Sequence, residues 1–234
     1  MRSKITSLLL ACALASIPVH AREPAPSRVI SARAVYHNPA NPVVNLFYCD
    51  RSGSIQPVNF KPQALSDRME IQLPDDMIVL YDKAVIDPEK PEESVVASMN
   101  LSPETQKMIM LIVPRPAALK PAYRILVIND SAESFARGES KIVSMISAES
   151  AIRAGEHKLQ IPPGKITRLP VVRQVNDFNM AQTNFYYSHH DSWIAFAERQ
   201  LHYIDATRRI FIIHATPGAL QPAVSTIVDT DTTF

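Results

Sequence analysis

The sequence predicts a mainly β protein: an antiparallel β-sandwich built as two immunoglobulin-like halves packed together. Three observations carry this. Nineteen prolines are spread along the chain, and each limits helix length by removing a backbone donor and clashing with the preceding turn. Between them lie short runs rich in Val, Ile, Leu, Met, Phe and Tyr, the composition of strands. Three of these runs, Met108 to Val113, Ile125 to Ile128 and Ile210 to Ile213, are apolar on both faces, whereas a sheet with one solvated face alternates. Such strands are either covered twice or lie where two sandwiches meet.

The chain opens with Met1-Arg2-Ser3-Lys4, which carries two cations and no acid. An apolar run from Ile5 to Ala15 follows, then Pro18 and Val19-His20-Ala21. This order is that of a secretory signal peptide over 1–21, cleaved after Ala21, and it places the mature chain in the periplasm or outside the cell. The run is shorter than the roughly 20 residues of a spanning helix. No later apolar stretch exceeds strand length, so no transmembrane segment is expected. A competing reading takes Leu9-Leu10-Ala11-Cys12 as a lipoprotein box with Cys12 lipidated. Cleavage after Ala21 removes Cys12 and leaves Cys49 as the one remaining thiol. An internal disulfide is then impossible, and the apolar flank Leu46-Phe47-Tyr48 marks Cys49 as a small buried residue. The 24 basic and 23 acidic residues give a net charge of +1, which lacks the clustered excess that nucleic-acid binding requires.

Along the chain, 22–28 reads as a flexible leader and 29–114 as an N-terminal β-sandwich domain. Within it, strands are expected at 29–36, 43–49, 55–60, 69–73, 77–82, 95–101 and 107–113. Asp50 to Ser54 and Pro74-Asp75-Asp76 serve as hairpin turns. Three prolines within Pro114 to Pro121 make 115–121 a semi-rigid linker. The C-terminal β-sandwich domain, 122–215, is expected to hold strands at 123–129, 141–147, 157–161, 166–172, 183–188, 193–198 and 209–215, with Pro162-Pro163-Gly164 as a hairpin turn. The segment 216–234 reads as a loose tail. Met69 to Ile78 echoes His157 to Ile166 as strand, proline turn, strand, which suggests that the halves are related.

Two clusters could carry chemistry. His189, His190 and Asp191, with His202 and His214 downstream, offer zinc or copper ligands, but neighbours on a strand point to opposite faces, and a surface turn fits them as well. Phe178, Phe185, Tyr186, Tyr187, Trp193, Phe196 and Tyr203 gather near Asn176, Asn179 and Asn184. Alternation would send one set, such as Phe185, Tyr187, Trp193 and Phe211, into the core. Tyr186, Trp193 and Asn184 are the candidates for a ligand-binding face, since aromatics with amides recognise sugars and peptides. Nucleophile elbows and phosphate-binding glycine loops are absent, and the carboxylate pairs Asp75-Asp76 and Glu92-Glu93 fall in turns rather than across a cleft. No cofactor is therefore expected, and a non-catalytic role is favoured over an enzymatic one.

The layout, exported with two immunoglobulin-like halves, resembles that of the periplasmic pilus chaperones, although no motif of theirs is matched residue by residue. The reading that results is an exported β-sandwich binding a protein or cell-envelope component. Its alternatives are a carbohydrate-binding module on the aromatic-rich second half and a metal-binding protein or metalloenzyme centred on His189, His190 and Asp191.

Overall fold

The structure, a computed structural model, describes residues 27–38 and 45–230. The expected signal peptide, with Cys12 and Ala21, lies outside the described residues, as do most of the leader and residues 231–234. In chain order the first eight strands are β1 (Arg28–Tyr36), β2 (Phe47–Cys49), β3 (Ile55–Pro57), β4 (Met69–Leu73), β5 (Met77–Tyr81), β6 (Val95–Asn100), β7 (Lys107–Pro114) and β8 (Tyr123–Asn129). The next eight are β9 (Ser140–Ser144), β10 (Ser150–Ala154), β11 (His157–Ile161), β12 (Ile166–Leu169), β13 (Met180–His189), β14 (Ser192–His202), β15 (Arg208–His214) and β16 (Ala223–Asp229). The expected fold class is present: a mainly β chain in four sheets of four strands.

Sheets β4-β1-β7-β8 and β3-β2-β5-β6 face each other in the first half. Ile30, Ala32, Ile71, Leu80, Met108 and Met110 lie between them. Sheets β12-β9-β15-β16 and β11-β10-β13-β14 do the same in the second half, around Ile142, Ile152, Leu169, Phe185 and Phe211. The period-2 alternation of each strand sends these residues inward.

The halves repeat one another strand by strand. In each, the first strand runs parallel to the seventh, and every other pair is antiparallel. The registers superpose: Ala32 pairs with Met69 and Met108, as Ser140 pairs with Leu169 and Arg209. Even the β-bulge recurs. Leu80 and Tyr81 face Ala97 and Val95, skipping Val96, while Phe185 and Tyr186 face Ala197 and Ala195, skipping Phe196. A bulge re-aims the side chains beside it, so its recurrence fixes which residues of the two halves correspond.

This repeat corrects several expectations. The echo between 69–78 and 157–166 is out of register, because β4 corresponds to β12 and β11 to β3. Neither segment is a hairpin: β4 and β5 lie in different sheets, as do β11 and β12. Each turn carries the chain from one layer to the other, and a proline turn looks alike in sequence whether it closes a hairpin or such an arch. The stretch 115–121 does not link the halves. Pro114 pairs with Tyr123, so it closes the β7–β8 hairpin, and the chain crosses between halves along 130–139. Residues 223–229 are not tail but strand β16, paired along its whole length with β15.

The halves pack through sheets β4-β1-β7-β8 and β12-β9-β15-β16. Val35, Ile109, Leu111 and Ile128 meet Val143, Ile210, Ile212 and Ile227, which is why β7 and β15 are apolar on both faces. The interface also holds buried charges. Arg33 donates to Asp130 at 3.0 Å and to Asp229 at 2.8 Å. Arg208 reaches Asp130 at 2.8 Å, pairs with Asp229 and caps the Phe135 carbonyl at 2.9 Å. Burial alone would raise the Asp229 carboxyl, yet hydrogen bonds and charge from Arg33 and Arg208 hold it below the usual range. His37 and His214 contact each other elsewhere across the interface, ring centroids 4.6 Å apart and planes tilted by 60°.

Candidate binding face on the second half

Strand β13 inserts Ala181, Thr183, Phe185 and Tyr187 into the core and turns Gln182, Asn184, Tyr186 and Ser188 outward. On the outward row the Gln182 amide donates to Asn184 Oδ1 at 2.7 Å, and the Asn184 amide donates to the Tyr186 hydroxyl at 3.3 Å. Trp193 pairs with Ser188, which places it on the same outward row as Tyr186. It is 45% exposed. The alternative that sends Trp193 inward with Phe185, Tyr187 and Phe211 is therefore overturned for Trp193 and met for the other three. The two-residue hairpin turn decides the matter, because it sets Trp193 one register position away from Tyr187.

Tyr186 and Trp193 border an open groove of about 590 Å³ on the outer surface of sheet β11-β10-β13-β14. Its other walls are Arg153 and Lys158, with Gln160 at the end. Its floor is Ala151, which lies between Gln160 and Tyr186 in the pairing. Because Ala151 is small, the larger side chains around it leave a hollow. Asn184 does not line the groove. It sits one register step along β13, holding Tyr186 in place.

Strand β10, which supplies Ala151 and Arg153, was not anticipated. Ser150 to Ala154 carries few of the residues that mark strands, yet Gly155 marks its end. Ala154 pairs with His157 across Gly155-Glu156, and Gly155 has a φ of 51°. A Cβ there would stand 2.6 Å from Val172 Cγ1, so the turn admits only glycine. A glycine before the alternating His157 to Ile161 was the signal that could have exposed this hairpin.

His189, His190 and Asp191 sit at the tip of the β13–β14 hairpin. His189 pairs with Ser192, and His190 and Asp191 both have positive φ, 46° and 60°, the signature of a type I′ turn. The two imidazoles meet edge to face, ring centroids 4.1 Å apart. Among the described residues no group of three or more His, Cys, Asp or Glu is disposed to hold a metal ion. His202 closes the opposite end of β14, and His214 packs against His37 with the two rings tilted.

Cys49 is half-buried rather than fully enclosed. Burial, then the charge of Asp50, pushes its thiol up from the ordinary value, the direction that suppresses thiolate chemistry. No helix is long and apolar enough to cross a membrane among the described residues. No protein-family model matches this chain, and comparison with curated proteins finds no match.

Proposed function

We propose that the chain is an exported, non-catalytic protein of the periplasm or cell surroundings that binds a protein or cell-envelope component through the outer face of sheet β11-β10-β13-β14. The observation that carries this reading is the meeting of Tyr186 and Trp193 on one open groove. Aromatic rings left in water cost hydration free energy that a stacked ligand recovers, and concave apolar surface with a few convergent polar groups is the usual form of a binding site. Export rests on the residues before Arg22, whose order is that of a cleaved signal.

Co-sedimentation of purified protein with separated cell-envelope fractions tests the reading. Wild type should sediment with one fraction, and Tyr186→Ala with Trp193→Ala should lose that binding while keeping the thermal transition. Equal sedimentation of the double variant would remove this face from consideration.

The carbohydrate-binding alternative is favoured by a specific feature: the amides of Gln160, Gln182 and Asn184 share the face with the two rings. Amide donors and acceptors beside aromatic planes suit the hydroxyl edges and apolar faces of sugar rings.

A further inference from the structure

We infer that the groove takes an acidic glycan, one whose sugar rings carry carboxylates; this rests on the reading of the face as a binding surface. The argument begins with a cost. Arg153 and Lys158 are direct cross-strand partners on β10 and β11, both exposed on the outer face. Side chains so placed stand with Cβ atoms about 5 Å apart, and like charges there are destabilising. Among the described residues neither forms an ion pair with a carboxylate. The corresponding pair in the first half is Cys49 and Ile55, so the shared backbone does not call for cations at these positions.

Both cations line the same groove as Tyr186 and Trp193. An anion seated between Arg153 and Lys158 converts their mutual repulsion into two charge-assisted contacts. The rings beside them add a flat surface for the apolar face of a pyranose, and Gln160 adds an amide for hydroxyl groups. A carboxylate within one ring's length of an apolar sugar face is the chemistry of a uronic-acid polymer. The open side of the groove suits a chain passing across the sheet rather than a buried small molecule.

The test uses the mature protein with polygalacturonate, dextran of matched length and poly-glutamate, and the variants Ala151→Phe, Arg153→Gln with Lys158→Gln, and Trp193→Ala. Ala151→Phe copies Phe47 of the first half and fills the groove floor without touching a charge. The expected result is polygalacturonate binding that weakens with salt. It should fall at least about tenfold in each variant, an effect that one charge-assisted contact is large enough to supply. Dextran and poly-glutamate should bind weakly or not at all.

Dextran binding as tight as polygalacturonate, lost in Ala151→Phe but unchanged in the double glutamine variant, would overturn the acidic class and leave the face intact. Poly-glutamate binding as tight as polygalacturonate and indifferent to Trp193→Ala would overturn the glycan in favour of an acidic peptide. Polygalacturonate binding unchanged by Ala151→Phe would overturn both the groove and the inference. No binding of any polymer would overturn the inference, while the co-sedimentation experiment decides separately whether the face binds anything.

Discussion

In the first half, one outward row of sheet β3-β2-β5-β6 reads Pro57, Phe47, Tyr81; in the second, the corresponding row reads Gln160, Ala151, Tyr186. The tyrosine is common to both, but Phe47 occupies the place that Ala151 leaves hollow. One row further, Cys49 and Ile55 give way to Arg153 and Lys158. At the end of the sheet, β5 and β6 stop at Tyr81 and Val95, whereas β13 and β14 continue to a two-residue turn and carry Trp193 past the point where the first hairpin ends. Registers, the bulge and the burial of inward positions agree between halves, even where the inward side chain changes, as from Met108 to Arg209. Outward residues do not. Burial constrains the inner face of a strand and leaves its solvent face free to acquire a different chemistry.

The interface between halves shows the same pattern of shared backbone with divided roles, and it provides the most severe ways to break the comparison. Ile212 and its counterpart Leu111 both lie fully buried between the sandwiches. An aspartate at either position strands a carboxylate away from water, and we expect Ile212→Asp and Leu111→Asp each to cost more than about 4 kcal/mol. Loss of the cooperative thermal transition in both would verify equal weight on the two sides. If either variant melts like wild type, the doubly covered placement of that strand is wrong.

Arg208 and Lys107 are the next pair to separate the halves. Each faces an aspartate at the end of the neighbouring strand, Asp229 as the last residue of β16 and Asp130 directly after β8, but only Arg208 is buried within the ionic cluster. Removing one member of a buried pair leaves its partner's charge uncompensated, so Arg208→Met should cost about 3–5 kcal/mol. Lys107→Met should cost less than about 1 kcal/mol, as substitutions away from such clusters usually do. Urea denaturation of both variants measures the contrast, and equal costs would show that the cluster is not asymmetric.

His37 offers a pH-dependent distinction, because the second half has Met145 in its place: the backbone amides of both donate to the neighbouring strand, at Ile112 and Ile213. Burial, then the charge of His214, lowers the His37 imidazole from 6.5 to about 4. The unfolded chain therefore takes up a proton that the folded protein refuses between these values. Stability is full above pH 6.5 and declines as pH falls toward 4, by about 3 kcal/mol from this group. Asp229, held below the usual carboxylate range, loses its contribution only at lower pH, so the two windows separate. Melting profiles of His37→Met should show a flatter slope between pH 6.5 and 4. An unchanged slope would assign the acid sensitivity elsewhere.

The smallest effect concerns the groove itself. Ala151→Phe should change stability by less than about 1 kcal/mol, because the added ring lies on an exposed face. A large loss of stability would mean that the floor of the groove is packed rather than open.

Much of the first layer of this description was legible residue by residue. Proline spacing and doubly apolar runs placed β7, β8 and β15 within a residue or so of their observed bounds and marked all three as covered on both sides. That holds for β7 and β15 and only in part for β8, where Ile125 and Ile128 are buried on opposite faces but Leu126 and Val127 are half-buried. Tyr186 and Trp193 were also legible as a possible face. Strands β10 and β16 were not. Ser150 to Ala154 is small and polar for a strand and acquires its structure from the neighbours it pairs with, whereas Ala223 to Asp229 carries the strand formers Val224, Thr226, Ile227 and Val228 inside a segment whose flanking prolines, threonines and aspartates read as a tail. Arg153 and Lys158 were hidden for the same reason: residues five apart become partners only once Gly155 reverses the chain.

By itself, then, the sequence determined the β character, the doubly covered strands and which residue types could meet a ligand, since these follow from side-chain composition and local period. Tertiary structure alone decided that the proline turns at 74 and 162 are arches between layers, that 115–121 closes a hairpin, and that Trp193 looks outward beside Tyr186. Those outcomes depend on which strands pair and in what register, and pairing is settled by the burial of whole faces rather than by any local signal.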